Sequence, residues 1–286
     1  MRSLKCDLNK TVLNPGFLGA VLVTAILCFT ANVYTDTAND KSYSVFETLF
    51  ALDRQLIRTD ISFSSVTVFQ KALSGYISMF IPIIVAFPFM VSFCAERNNG
   101  LMRFTITRTG KYRYYMSKFF ASFLSGGLAV MLGVALFGVI VSGIFPNLSS
   151  YELSQEELEW ILPSGAFNAI IKIFLSAFLY GAVSTLPAFF LSSFCKNPYL
   201  ITCIPFMLNY VWSTGISKAV TKGFENGDWE IYDKLSPFAP DSVTIIFYCT
   251  EFTDQVKKAL AFNGAYVLVM LIGFVIIMNC RTDKGA

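Results

Sequence analysis

Long apolar runs alternate with short polar, charge-bearing segments along this chain. Apolar stretches occupy residues 16–34, 76–94, 119–145, 166–194, 199–217 and 260–280. Each is near the roughly 20 helical residues that cross about 30 Å of hydrocarbon, so the pattern predicts six membrane-spanning helices. The third and fourth runs are long, which implies tilt or extension beyond the bilayer. Cys195-Lys196-Asn197-Pro198 leaves room only for a tight turn between the fourth and fifth runs, with Pro198 breaking the helical pattern. Ahead of the first run, Leu4, Leu8 and Val12 recur at i, i+4 and i+8 among Arg2, Lys5 and Lys10, and Asn14-Pro15-Gly16 closes the pattern. That spacing predicts an interfacial helix over 1–15. Between the second and third runs, residues 95–118 form a basic segment in which Leu101, Phe104 and Arg108 share one helical face, with Met102 and Ile106 beside them. It is too short and polar to span, and too apolar for a plain linker.

Composition agrees with the pattern: 55% of residues are hydrophobic, 14% are charged, and the mean hydropathy is +0.58. A soluble domain carries nearer a quarter charged residues. Six spans put both termini on one side, together with Arg97, Arg103, Arg108, Lys111, Arg113 and Lys118. This side holds most of the Lys and Arg and only Asp7, Glu96 and Asp283 among the acids. The positive-inside rule therefore makes it cytoplasmic, in a multi-pass protein of the cell membrane. The net charge of +3 is a consequence of topology and does not point to nucleic acid. The first run reads as a span, because its apolar core exceeds a usual leader and no small-x-small site follows in Phe29-Thr30-Ala31-Asn32-Val33-Tyr34.

Three external segments follow from this topology. Residues 35–75 contain an amphipathic helix predicted over 43–57, and 146–165 hold the acidic run Glu152, Glu156, Glu157 and Glu159. Residues 218–258 include the apolar stretch Val243–Tyr248, expected to re-enter the outer leaflet. A cap over the bundle and a set of solvated loops are both compatible with such segments.

Absences restrict the chemistry. The chain has no histidine and its seven cysteines show no ligand spacing, so His-based nucleophile pairs, a metal site and a disulfide framework are not expected. No Asp or Glu falls within the six runs, whereas gradient-driven carriers generally need an ionisable or coordinating group inside the membrane. Lys172 lies near a span end, where it can snorkel. No G-x-x-x-x-G-K-[ST] phosphate cradle is present. The chain is thus expected to be a non-enzyme without a cofactor of its own, and any transport must draw energy from elsewhere.

Within the runs, Ser122, Gly126, Ala129, Gly133, Gly138, Ser142 and Gly143 form small-residue rows that permit close helix approach. Pro82, Pro88, Pro187 and Pro205 interrupt spans and predict kinks. Phe80, Phe87, Phe89, Phe206, Asn209, Tyr210 and Trp212 concentrate in the second and fifth runs. They are candidates for a substrate pathway, and core packing accounts for the same residues equally well.

Several of these features occur together in one family. The interfacial helix, the six spans, a first loop of the form Glu-Arg-x-x-Gly-Leu-x-Arg…Thr-Arg-Thr…Tyr-x-x-x-Lys and Leu-Ser-Pro-Phe at 235–238 resemble the type-2 permease subunits of ATP-binding-cassette exporters. The resemblance implies an all-α integral membrane protein in which the loop forms a cytoplasmic coupling helix gripping a separate ATPase. Glu96, Arg97, Gly100, Leu101, Met102, Arg103, Phe104 and Arg108 occupy the coupling positions, with Lys118 towards the third span. It further implies ATP and Mg bound on the partner ATPase, and a second permease subunit that is either a copy of this chain or a different one. The cargo would be amphipathic or hydrophobic, such as an antimicrobial peptide, a drug or a lipid. A six-span scaffold or sensor that gates a partner without transport is the alternative.

Overall fold

The computed structural model describes residues 2–36, 41–151, 154–162, 165–195, 197–244 and 253–282. Helices dominate it: α1 (Arg2–Val12), α2 (Pro15–Cys28), α3 (Val45–Ala51), α4 (Arg54–Thr59), α5 (Ser65–Gln70), α6 (Ile77–Ile84), α7 (Phe87–Asn98) and α8 (Leu101–Thr109). They continue with α9 (Lys111–Ile144), α10 (Gln155–Ile161), α11 (Ala166–Ser184), α12 (Leu186–Leu191), α13 (Pro198–Glu225), α14 (Ile231–Leu235) and α15 (Asp254–Thr282). Among the described residues four helices are long and apolar enough to cross a membrane, or up to six if the bent pairs α1–α2 and α6–α7 each count as one span. This is the helical architecture of a membrane-embedded protein.

The all-α expectation needs one correction. Strands β1 (Asn32–Asp36) and β2 (Lys41–Ser44) form an antiparallel hairpin directly after α2. The helix predicted over 16–34 therefore stops at Cys28. Val33, Tyr34 and Thr35, β-branched or aromatic, belong to the hairpin instead. With 14 residues, α2 rises only about 21 Å. The single helix predicted over 43–57 is also divided. Ser44 and Glu47 form a capping box at the start of α3, and Asp53 accepts from the Gln55 backbone N–H to start α4 anew. Elsewhere helices overrun their expected limits: α13 continues to Glu225, and α9 begins at Lys111. The acidic-run residue Glu152 and the re-entrant stretch from Ile245 to Tyr248 lie outside the described residues.

Helix α9 is the axis of the fold, packing on α1, α2, α5, α7, α8, α11 and α12. Its small-residue rows are what let it do so. A Cβ on Gly126 would lie 2.6 Å from Thr185 Cγ2, one on Gly181 would lie 2.7 Å from the Gly126 carbonyl oxygen, and one on Gly133 would lie 2.5 Å from Thr24 Cβ. Backbones thus approach α9 closely from both the α11 and α2 sides, and dispersion contacts replace a hydrophobic driving force. Two buried clusters flank the axis. One surrounds the hairpin end, with Phe63, Phe69, Ile77, Phe137 and Tyr180. The other lies at the α1 end, where Phe89, Phe93, Tyr115, Phe189 and Phe274 interlock; the Phe189 and Phe274 ring centroids are 4.0 Å apart.

Pro82 illustrates how sequence-level kinks are resolved. Inside α6 it cannot donate to the carbonyl of Ser78 four residues earlier. That oxygen instead accepts from the Tyr180 hydroxyl at 2.9 Å and the Asn209 side-chain amide at 3.4 Å, joining α6, α11 and α13 at one point. Tyr180→Phe is expected to lower the thermal midpoint of the purified protein, at a cost of about 0.5–1.5 kcal/mol for a hydrogen bond lost at a partly buried acceptor. An unchanged midpoint would mean that Asn209 alone suffices.

Candidate functional site

Residues 95–118 are a helical hairpin rather than a loop. Helix α7 runs through Asn98, Gly100 adopts φ 69°, α8 follows, and Gly110 at φ 85° turns the chain into α9. Both glycines take the positive half of φ space, which side chains with a Cβ avoid. Helix α8 packs on α7 and α9 through Met102 and Ile106, which join the α1-end cluster. Its opposite face carries Leu101, Arg103, Phe104 and Arg108 outward, and Phe104 is 76% exposed. An exposed Phe and Leu thus lie alongside arginines on this face.

Glu96 and Arg97, grouped in the sequence with that docking face, turn elsewhere. Glu96 faces inward: its carboxylate receives Lys118 Nζ at 2.6 Å, and Lys118 also reaches Asp7 at 2.8 Å. Lys10 approaches Glu96 from the exposed side at 3.4 Å, and the Ser117 hydroxyl donates to Asp7 at 2.5 Å. The Lys118 ammonium stands 5.4 Å from the Tyr114 ring centroid. Two cations and two anions close a neutral cluster that binds α1, α7 and α9 together. Neutrality is what makes its burial tolerable, since an unmatched buried charge is far more costly than a matched set. The Arg97 guanidinium donates to the carbonyl oxygens of Ser192 and Cys195, the latter at 2.8 Å. It thereby satisfies carbonyls just past the end of α12 that have no helical partner.

Sequence reasoning missed Asp7 as a member of this cluster. The available signal was a single acid in a basic amphipathic helix; its partner lies 111 positions away, beyond any local spacing rule.

At the opposite end the bundle opens into a cavity of about 1410 Å³ between the end of α2, the hairpin, α3, residues 75–79 and α13. Asn209 and Tyr210 line it. A second cavity of about 380 Å³ is bordered by Pro82, Pro187 and Pro205 together with Trp212, and Asn209 borders both. The other aromatic candidates lie apart from these spaces. Phe80 stacks on Phe206 with centroids 5.5 Å apart, Phe89 is buried in the α1-end cluster, and Phe87 is exposed on the surface. The cavity wall carries charge outside the apolar helices. Hydrogen bonding from the Ser44 backbone N–H holds the Glu47 carboxyl below the ordinary range. Asp241 also lines the cavity, where desolvation by the surrounding protein pushes its carboxyl upward. No cluster of three or more metal-ligating side chains occurs among the described residues.

No protein-family model matches the sequence, and no curated protein matches it.

Proposed function

We propose that this chain is the permease subunit of an exporter driven by a separate ATP-binding-cassette ATPase. In this reading the six crossings are the bent pair α1–α2, with the start of α1 at the cytoplasmic surface, then α6–α7, α9, α11–α12, α13 and α15, with both termini inside. The ATPase, holding ATP and Mg, docks on α8; a second permease subunit completes the pathway. Cargo of amphipathic or hydrophobic character passes by alternating access.

The observation that carries the proposal is the outward face of α8, with Phe104 and Leu101 exposed on a short helix set between two glycine turns. The same helix is fixed on its inner side to α7 and α9, so force applied to Phe104 reaches the ionic cluster and the long axis helix. A surface helix lying on lipid would place its arginines at the headgroups as well, which makes the partner the quantity to test. Affinity purification of the native protein is expected to recover an ABC ATPase. Phe104→Asp is expected to reduce that recovery by about 10-fold or more, the effect of removing one aromatic anchor, without lowering expression. If the native protein never brings down such a subunit, the exporter reading fails. Undiminished recovery with the variant would locate docking away from α8.

A further inference from the structure

The large cavity at the hairpin end grades from apolar to charged along α13. Its apolar lining is Ile26, Phe29, Met79 and Tyr210, with Leu49 and Phe50 from α3, and Ile26 and Phe50 are exposed on it. A belt of hydroxyls follows, from Ser213, Thr214, Ser217 and Thr221. The last two turns of α13 contribute Lys218, Lys222 and Glu225, and α3 contributes Glu47 from the facing wall. Lys218 and Lys222 are one turn apart, so they address the same space. Among the described residues no hydrogen bond or ion pair engages the side chains of Lys218, Lys222 or Glu225. Glu47 is held in place by Ser44, which donates to it from both N–H and hydroxyl.

These charges select a ligand class. A purely anionic headgroup matched to the two lysines would face Glu225 and Glu47. A purely cationic one matched to the acids would face the lysines. A headgroup bearing both signs meets both sets, Lys218 and Lys222 on one hand and Glu47, Glu225 and Asp241 on the other, while an aliphatic tail lies along the apolar lining. We propose that this cavity binds a zwitterionic amphiphile, with its phosphate or carboxylate on Lys218 and Lys222, its ammonium towards Glu225 and Glu47, and its tail against Phe29, Phe50 and Met79. The assignment rests on the exporter reading only in treating the ligand as cargo; occupancy itself needs no ATPase.

The test is equilibrium binding to the purified full chain in an uncharged detergent, with three probes of matched chain length: lysophosphatidylethanolamine, lysophosphatidic acid and a primary alkylamine. Free phosphoethanolamine serves as a tailless competitor. The zwitterionic probe is expected to bind about 10-fold more tightly than either singly charged one, because each of those leaves one pair of charged side chains without a charge-assisted hydrogen bond. Lys218→Gln combined with Lys222→Gln is expected to shift preference to the alkylamine, and Glu225→Gln to the lysophosphatidic acid. All three positions are exposed, so these variants fold. Equal binding of the three probes, tighter binding of either singly charged probe, an unaltered ranking in the variants, or full competition by phosphoethanolamine would each overturn the proposal. Since binding is read without a partner, a missing ATPase would sink the exporter reading and leave this site standing. Loss of discrimination would do the reverse.

Discussion

Lys118→Met is expected to be among the most damaging single changes outside the apolar contacts. Its ammonium is the common partner of Asp7 and Glu96, and its side chain is only 6% exposed. Removal leaves two carboxylates facing each other at the junction of α1, α7 and α9, an uncompensated arrangement that costs about 3–5 kcal/mol. Lys10→Met provides the comparison. Lys10 also contacts Glu96, but its side chain is 58% exposed, and an exposed pair contributes only about 0–1 kcal/mol. Thermal denaturation of the detergent-purified proteins should therefore separate the two variants clearly. The triple change Asp7→Asn, Glu96→Gln and Lys118→Met, which removes the buried charges together, is expected to recover much of the loss. Equal midpoints for the two lysine variants would refute the assignment of Lys118 as the keystone. Since α8 lies between the Glu96 and Lys118 ends of this cluster in the chain, loosening the cluster should also loosen the seating of α8 on α7 and α9.

Gly181→Leu is expected to destabilise by a different mechanism. The nearest atom to a Cβ at this position is the Gly126 carbonyl oxygen at 2.7 Å, with Val130 Cγ2 also at 2.7 Å. Backbone cannot rotate away as a side chain can, so α9 and α11 must separate or shift. Overpacking of this kind costs about 1–3 kcal/mol, occasionally more, and here it strikes the axis helix. Gly143→Leu is the control on α9, because a Cβ there meets nothing within 4 Å. Detergent-resistant yield and thermal midpoint should fall for Gly181→Leu and hold for Gly143→Leu. If both behave alike, close approach at Gly126 and Gly181 is not what holds these helices together.

The small-residue rows were legible in the sequence because spacing along one helix is a local property. Gly126 and Gly133 do meet neighbouring helices, although the sequence could not say that α11 takes one face and α2 the other. The inner and outer faces of α8 were legible in part for the same reason: Leu101 and Phe104 share one side and remain exposed. Glu96 faces inward although the sequence groups it with Phe104, because it lies on α7 and Phe104 on α8, and the deciding partner, Lys118, lies beyond that intervening helix. Pro88 and Pro187 stand at the starts of α7 and α12, whereas Pro82 and Pro205 lie inside α6 and α13, and what replaces the missing hydrogen bond at Ser78 depended on Tyr180 and Asn209. The hairpin after α2 was hidden by apolar composition, since Val33 and Tyr34 serve a strand as readily as a helix end.

By itself the sequence determined that this is a helical membrane-type protein, roughly where its helices run, and that it carries no histidine. Those properties sum over neighbouring residues: apolar length, proline, glycine and the presence or absence of a titratable side chain. Only the tertiary structure decided that Asp7, Glu96 and Lys118 form one neutral cluster with Lys10, that Phe104 faces outward while Glu96 faces inward, and that charged residues of α3 and α13 share one cavity. The reason is physical. Electrostatic matching and carbonyl satisfaction act over a few ångströms, and the chain brings groups about a hundred residues apart to that distance only when the helices pack.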